Sequence, residues 1–358
     1  GYGEMKKKAL ILFMTGMLAT TSLTGCGSWN GDDVALTVGK EEISADVANF
    51  YARYTQATYE TYYSEYLGED MWNSEAEKGK TYEESVKDSV AGELEAMALC
   101  DAHKKDYDVA LTDEEKASIK KAAKSFSEDN GLEQKEKVSG QEKTVEKVFT
   151  MMLVSSKVRT AIEAGADTEV SDEEAAQKKM QYVLFSNTKT TEEGETQELT
   201  EDEKKEAKAN AEKLAEAAKN GGDLTALAAE YSLETSEASF DSESETPDAD
   251  LVKAADQLGE NEVTDVIETS AGYYVGKVVS LMDADATASK KEEIVNERKA
   301  ELYNKTVEEW KEDTEIKVHK NVWKKIDFND LSVIMKQEVT QPYSNELQTD
   351  DQAEAQGQ

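Results

Sequence analysis

The sequence predicts an α+β fold, and three observations carry the prediction. Between residues 180 and 279 the elements run strand, helix, glycine turn, helix, strand, the order of a small α/β domain of about a hundred residues. Before that stretch stand several segments whose apolar residues recur at helical spacing, most opened by a Ser or Thr cap. After it come one more long helical segment and a short alternating strand. At 358 residues the chain is long enough for two or three domains and a sizeable core.

The elements follow in order. Lys6, Lys7 and Lys8 make a positive start, and Ala9 to Leu18 a short apolar run, too short to span a bilayer as a stable helix. The run leads to Leu23-Thr24-Gly25-Cys26, which looks like a bacterial lipobox. Small residues before the cysteine let a signal peptidase seat the strand, and the thiol then takes a diacylglyceryl group. Residues 1–25 are expected to be a lipoprotein signal peptide, with the mature chain tethered to the membrane through Cys26; a plain signal peptide or a membrane-spanning anchor is the alternative. One acyl chain holds a protein only marginally, whereas two anchor it stably. Residues 26–33 read as a polar tether.

Val34 to Ile43 reads as a hairpin turned at Gly39-Lys40. Ser44 then caps a helix with Val47, Phe50, Tyr51 and Tyr54 on one face. Tyr59, Tyr62, Tyr63 and Tyr66 follow. They either pack in the interior or offer unfolded chains an adaptable surface, since Tyr brings apolar area, a hydroxyl and few torsions. Residues 68–80 read as a loop. Thr81 with Glu84, and Thr112 with Glu115, are capping-box pairs that open two more helices. Residues 141–164 form another, striped by Val145, Val148, Phe149, Met152 and Val158; its Met pair fits a core or a plastic contact surface.

Residues 165–170 mark a domain boundary. Ser171 caps a short helix leading to the strand at 180–185, residues 187–202 read as an acidic loop, and a helix over 207–219 closes on Asn220-Gly221-Gly222-Asp223. Residues 288–311 read as one helix and 315–319 as a short strand. Residues 340–358 are polar, acidic and aperiodic, and are expected to be a disordered tail.

Asp and Glu total 77 against 41 Lys and Arg, a formal net charge of -36. That excludes nucleic-acid binding, which needs a basic footprint, and attachment to an anionic membrane by charge. The acid either solvates the surface or attracts basic unfolded segments or scattered divalent cations. Besides Cys26 the only cysteine is Cys100, on a helical pattern that reads as core. His103 and His319 lie far apart without ligand or triad spacing, so neither a metal nor a cofactor is expected.

The opening Met180-Gln181-Tyr182-Val183-Leu184-Phe185, the Gly221-Gly222-Asp223 turn, residues 224–232 and the segment 253–279 together resemble a parvulin-type peptidyl-prolyl isomerase domain. The whole chain is similar to extracytoplasmic foldases of the PrsA/SurA type. The resemblance implies a discontinuous helical chaperone domain, residues 34–165 with 287–330, holding an inserted parvulin-like α/β domain at 171–282. It implies a membrane-anchored extracytoplasmic foldase or chaperone whose partners are unfolded exported polypeptides. The oligomeric state stays open, a dimer included. The other reading is a surface lipoprotein that reuses the scaffold for one dedicated partner, a solute or adhesion.

Turning an Xaa-Pro bond crosses a barrier of about 18–20 kcal/mol and needs no covalent step. It needs an apolar pocket for the ring and polar groups that stabilise the twisted amide. Parvulins resemble that recipe with two facing histidines, a Cys or Asp between them, and Met and Phe in the wall. Carried over position by position, the histidines match Tyr182 and Tyr274, and the acid matches Glu234. The wall Met falls near Pro247, one wall Phe matches Leu251, and the other matches Asp256, a charge where an apolar group stands in the family. The candidate catalytic residues are therefore Tyr182, Glu234 and Tyr274, and the candidate substrate-binding residues Phe240, Leu251 and Tyr273. Tyr in place of His keeps a flat ring and a donor but moves the pKa from about 6.5 to about 10. The domain then either isomerises prolyl bonds, binds peptide without turnover, or braces the helical domain.

Overall fold

The computed structural model describes residues 17–21 and 28–335, the first five by their backbone. The expected lipidation site Cys26, most of the expected leader and the expected tail at 340–358 lie outside the described residues. The chain divides into two units, Gly1–Ala166 with Lys299–Gln358, and Asp167–Arg298. No helix among the described residues is long and apolar enough to cross a membrane.

The first unit begins with β1 (Met17–Thr21), β2 (Val34–Val38) and β3 (Glu41–Ser44). The side chain of Ser44 accepts a hydrogen bond from the Val47 N–H and starts α1 (Ala45–Tyr62). A single turn, α2 (Ser64–Leu67), follows. The stretch expected as a loop instead holds a helical turn at Met71–Asn73 and a small hairpin, β4 (Glu75–Glu77) and β5 (Lys80–Thr81). Met71 and Trp72 are buried there. The Trp72 ring lies 4.6 Å from that of Phe328, and its Nε1–H donates to Glu60 at 3.0 Å. Thr81 caps α3 (Tyr82–His103) through the Glu84 N–H. Thr112 and Glu115 make both bonds of a capping box and open α4 (Asp113–Asp129). α5 (Leu132–Lys137) and α6 (Glu142–Glu163) complete this part, with Met151 and Met152 both in the core.

The second unit runs through α7 (Asp172–Ala175), β6 (Lys178–Ser186) and a hairpin of β7 (Thr188–Thr190) and β8 (Thr196–Glu198) inside the stretch expected as a loop. α8 (Glu201–Lys219) starts ahead of its apolar stripe because Thr200 and Glu203 form a full capping box. Then come α9 (Leu224–Ala229), β9 (Ser236–Phe240), α10 (Ala249–Asp256), β10 (Ile267–Thr269) and β11 (Gly272–Ser280). α11 (Ala284–Glu312) gives its first residues to this unit and the remainder to the first. β12 (Ile316–Val318), α12 (Lys320–Trp323) and β13 (Leu331–Met335) then complete the first unit.

In the first unit β12 pairs with β2, and β2 with β3, in an antiparallel three-stranded sheet. Phe50 meets Phe126 edge-on, with ring centroids 5.3 Å apart, and lies 6.4 Å from Phe149. A buried cation crosses this core. Arg53 donates to Asn49 Oδ1 (3.1 Å), Gln56 Oε1 (2.8 Å), the Asp327 carbonyl (2.9 Å) and the Asp330 carboxylate (3.2 Å). Burial pushes its pKa below the ordinary guanidinium value, against the pull of Asp330. A buried charge costs several kcal/mol unless its hydrogen bonds are made, and here its partners come from both ends of the sequence. Cys100 is buried beside Val154, Val158 and Ile162, and desolvation raises its thiol pKa. Of the tyrosine cluster, Tyr62, Tyr63 and Tyr66 stand out at 51%, 48% and 86% exposure, while Tyr59 packs against the core.

In the second unit the strand order is β10-β11-β6-β9, antiparallel throughout. β6 has five apolar residues among its nine, Met180 and Tyr182 to Phe185, and neighbours on both sides, which places it inside the sheet. Gly272 opens β11 with φ of +140°, and a Cβ there would collide with the Phe185 carbonyl oxygen; only glycine fits.

Candidate functional site

Side chains alternate along a strand, so β6 and β11 each send residues to two faces. Val183 and Phe185 of β6, with Tyr273 and Val275 of β11, face α8 and α9. Met180 and the half-buried Tyr182 and Leu184 of β6 share the other face with Tyr274 and Val278 of β11. α10 covers part of that second face with Leu251, Val252 and Ala255, and Phe240 enters it from the end of β9.

The register decides what meets what. Tyr274 stands opposite Leu184, and Tyr182 opposite Gly276. Tyr182 and Tyr274 are therefore diagonal neighbours, with ring centroids 6.0 Å apart and planes at 57°. Gly276, opposite Tyr182 in the ladder, is buried on this face. A Cβ at that position would lie 3.1 Å from Leu251 Cδ1, so even one methyl group would press on the floor of the face.

Desolvation raises the Tyr274 pKa above that of a free phenol, and the nearby charges of Asp248 and Tyr182 add to the shift. At neutral pH Tyr274 is thus a protonated donor. Asp248 is fixed as the cap of α10, its carboxylate accepting from the N–H groups of Asp250 (2.9 Å) and Leu251 (3.0 Å). The arrangement is a half-open apolar face carrying two phenol rings with a carboxylate nearby. Both histidines, His103 and His319, belong to the first unit, so residues 167–298 hold no imidazole. The face can bind an apolar ring and donate hydrogen bonds. It holds no group that exchanges a proton near neutral pH.

The candidate residues fall into three places. Tyr182 and Tyr274 come together on the half-open face. Phe240 and Leu251 lie on the same face but are 0% exposed, so they form its floor rather than an accessible wall. Tyr273 points to the opposite face, among the residues under α8 and α9. Glu234 is exposed in the connection between α9 and β9, and the carboxylate acting on Tyr274 is Asp248. Asp256 does not leave a bare charge against the apolar face. Lys178 Nζ holds its carboxylate at 3.0 Å and its carbonyl at 2.8 Å. Sequence reasoning missed Asp248, although an Asp directly after Thr246-Pro247 and shortly before Leu251-Val252 is a helix-cap signal.

Residues 186–290 match the family model of the PPIC-type PPIASE domain. That stretch contains Glu234, Phe240, Leu251, Tyr273 and Tyr274, and stops short of Tyr182. No curated protein matches the chain. Several solved structures align along most of its length. One, from work on two SurA-like chaperones of Campylobacter jejuni, the virulence factor PEB4 and the periplasmic protein Cj1289, is 16% identical and covers 79% of this chain and 98% of its own, with a TM-score of 0.28. The foldase protein PrsA of Streptococcus pneumoniae is 20% identical over 71% of this chain and 98% of its own, with a TM-score of 0.31. PrsA of Bacillus subtilis is 18% identical over 68% of this chain and 86% of its own, with a TM-score of 0.22.

Proposed function

We propose that this chain is an extracytoplasmic foldase, tethered to a bacterial membrane by a lipid on Cys26, that holds unfolded exported polypeptides. Its PPIC-type domain at 186–290 binds extended segments of those polypeptides on the face carrying Tyr182 and Tyr274. The observation that supports this most is the pairing of those two rings, 6.0 Å apart, on the one face of the domain that is left half-open. A prolyl ring fits such a surface, and the phenols can donate to the peptide carbonyls on either side.

Isomerisation by this face is expected to be weak. The face offers an apolar surface and two phenol donors, but two phenols cannot rearrange their protons as two imidazoles can. A protease-coupled assay on a proline-containing peptide tests this with the full chain. Turnover should lie near the uncatalysed rate, and Tyr182→His together with Tyr274→His should raise it. Suppression of aggregation of an unfolded exported protein should persist in both forms. Absence of suppression at stoichiometric amounts would overturn the foldase reading in favour of a lipoprotein dedicated to one partner.

A further inference from the structure

A second binding feature lies in the first unit, on β12. The order β12-β2-β3 makes β12 an edge strand. Its inner side is fastened to β2: the Gly39 N–H donates to the Glu315 carbonyl (2.8 Å), the His319 N–H donates to the Ala35 carbonyl (3.0 Å), and Lys317 stands opposite Thr37. Main-chain groups alternate sides along a strand, so those of Ile316 and Val318 point to the outer edge. No strand pairs with that edge among the described residues. An open edge of this kind is a template for one more strand.

The strand borders a groove. Val318, 38% exposed, gives it an apolar lining together with Ala91 of α3 and Trp323 of α12. Trp323 is held in place, because its Nε1–H donates to the Ala35 carbonyl (3.0 Å). Four lysines also line the groove, in a chain of net charge -36. Two of them are engaged. Lys80 pairs with Asp88, and the charge of Glu84 also acts on it. Lys87 donates to the carbonyls of Trp323 (3.1 Å) and Ile326 (2.8 Å) and lies 3.7 Å from Glu83. Lys320 and Lys324 are exposed, four residues apart, and have no ion-pair partner among the described residues. Lys317 is exposed as well, and alternation puts its side chain on the sheet face opposite that of Val318.

We propose that the outer edge of β12 is a strand-addition site for an extended polypeptide segment in which apolar residues alternate with acids. Main-chain bonds supply affinity in this mode, and the alternate side chains supply selectivity. One set of side chains on the added strand lies beside Val318, against the apolar lining. The other set shares the face of Lys317, where a carboxylate across from a lysine is a favourable cross-strand pair. An acid at the end of the segment meets Lys320 and Lys324. Charge decides the occupant. A basic segment would meet uncovered lysines. A second copy, paired symmetrically, would set Lys317 against its own counterpart between two molecules of net charge -36. The site stands apart from the tyrosine face and does not rest on the function proposed above.

The test titrates the full chain with rhodamine-labelled heptapeptides and follows anisotropy. The probe is Glu-Val-Glu-Val-Glu-Val-Glu, and the control carries Lys in place of every Glu. The probe should bind at least tenfold more tightly than the control. Lys320→Glu together with Lys324→Glu should weaken probe binding at least tenfold. Val318→Pro removes an N–H of the outer edge and spares the bonds to β2, so probe binding should fall by a similar factor without a change in thermal midpoint. The same bonds are tested on the unaltered protein by a probe N-methylated at its three Val residues, the positions that face Ile316 and Val318. It too should bind at least tenfold more weakly. Binding that survives N-methylation is charge attraction alone and overturns the strand site. Equal binding of probe and control, or binding of neither, also overturns it and leaves the lysines as a guard that keeps other chains off the edge.

Discussion

The two faces of the β10-β11-β6-β9 sheet come from the same strands by the same alternation, and they differ in what covers them. Beneath α8 and α9 the strand residues Val183, Phe185, Tyr273 and Val275 are all buried, and the partly buried residues, such as Leu227 and Tyr231, lie outside the strands. Ala211, Ala215 and Ala218 line the helix side, small enough to let α8 lie close to the sheet. Beneath the eight residues of α10 the cover is shorter, and Tyr182, Leu184, Ala238, Leu258 and Ile267 remain half-buried. The face beneath α8 and α9 buries its strand side chains, Tyr273 included, and serves stability. The half-open face gives up some burial at Tyr182 and Leu184, beside the 7%-exposed Tyr274. On the function proposed above, incomplete burial rather than residue type marks the binding face.

Substitutions on the sealed face should therefore unfold the domain without touching binding. Leu214→Ala is expected to cost about 2–5 kcal/mol, read as a lowered thermal midpoint by circular dichroism, with peptide affinity unchanged while the domain is folded. An equal loss from Tyr182→Ala would erase the distinction between the faces. Gly276→Ala should have a smaller effect, about 1–3 kcal/mol, because its methyl group presses on Leu251. Unlike Leu214→Ala it should also weaken binding of a proline-containing peptide, since it disturbs Leu251 on the face that carries the two rings. Tyr182→Phe and Tyr274→Phe keep the rings and remove the hydroxyls. Each should change stability by less than about 1.5 kcal/mol and reduce peptide affinity severalfold in a calorimetric titration.

The smallest effect is on the alkaline side. The folded-state pKa of Tyr274 is raised above its unfolded value near 10, so the folded chain holds the proton where the unfolded chain has lost it. The Tyr274 contribution to stability is constant below pH 10 and declines as pH rises toward the folded value. Ultraviolet difference titration against Tyr274→Phe should show one phenol ionising later than a free tyrosine. A titration at the free-tyrosine value would place that ring in open solvent and remove the asymmetry of burial.

The sequence disclosed the elements whose cause is local. The Ser44 cap, the Thr112–Glu115 box and the β11 alternation each lie within a few residues of the structure they specify. It put Tyr182 and Tyr274 in two strands but left open whether they face one another, which depends on the register of β6 against β11. It did not disclose that Tyr273, one residue away, turns to the sealed side, because alternation alone does not say which face is covered. The burial of Met71 and Trp72 was hidden for another reason: Phe328, the ring that holds Trp72, comes from the far end of the chain. β9 looks polar in sequence and becomes a strand because β6 offers it an edge. The pairing of Lys178 with Asp256 likewise joins charges whose sequence context shows nothing.

The Arg53 arrangement bears on the order in which the chain matures. Asn49 and Gln56 are in place once α1 has formed, whereas the Asp327 carbonyl and the Asp330 carboxylate emerge only when nearly the whole polypeptide has been delivered. Until then the guanidinium has half its partners, and β2 lacks its neighbour β12. As the chain is synthesised, residues 167–298 have their complete sequence before the first unit has its own. Their domain is placed to fold first, leaving the tyrosine-bearing surface formed while the earlier helices still wait for their closing segment.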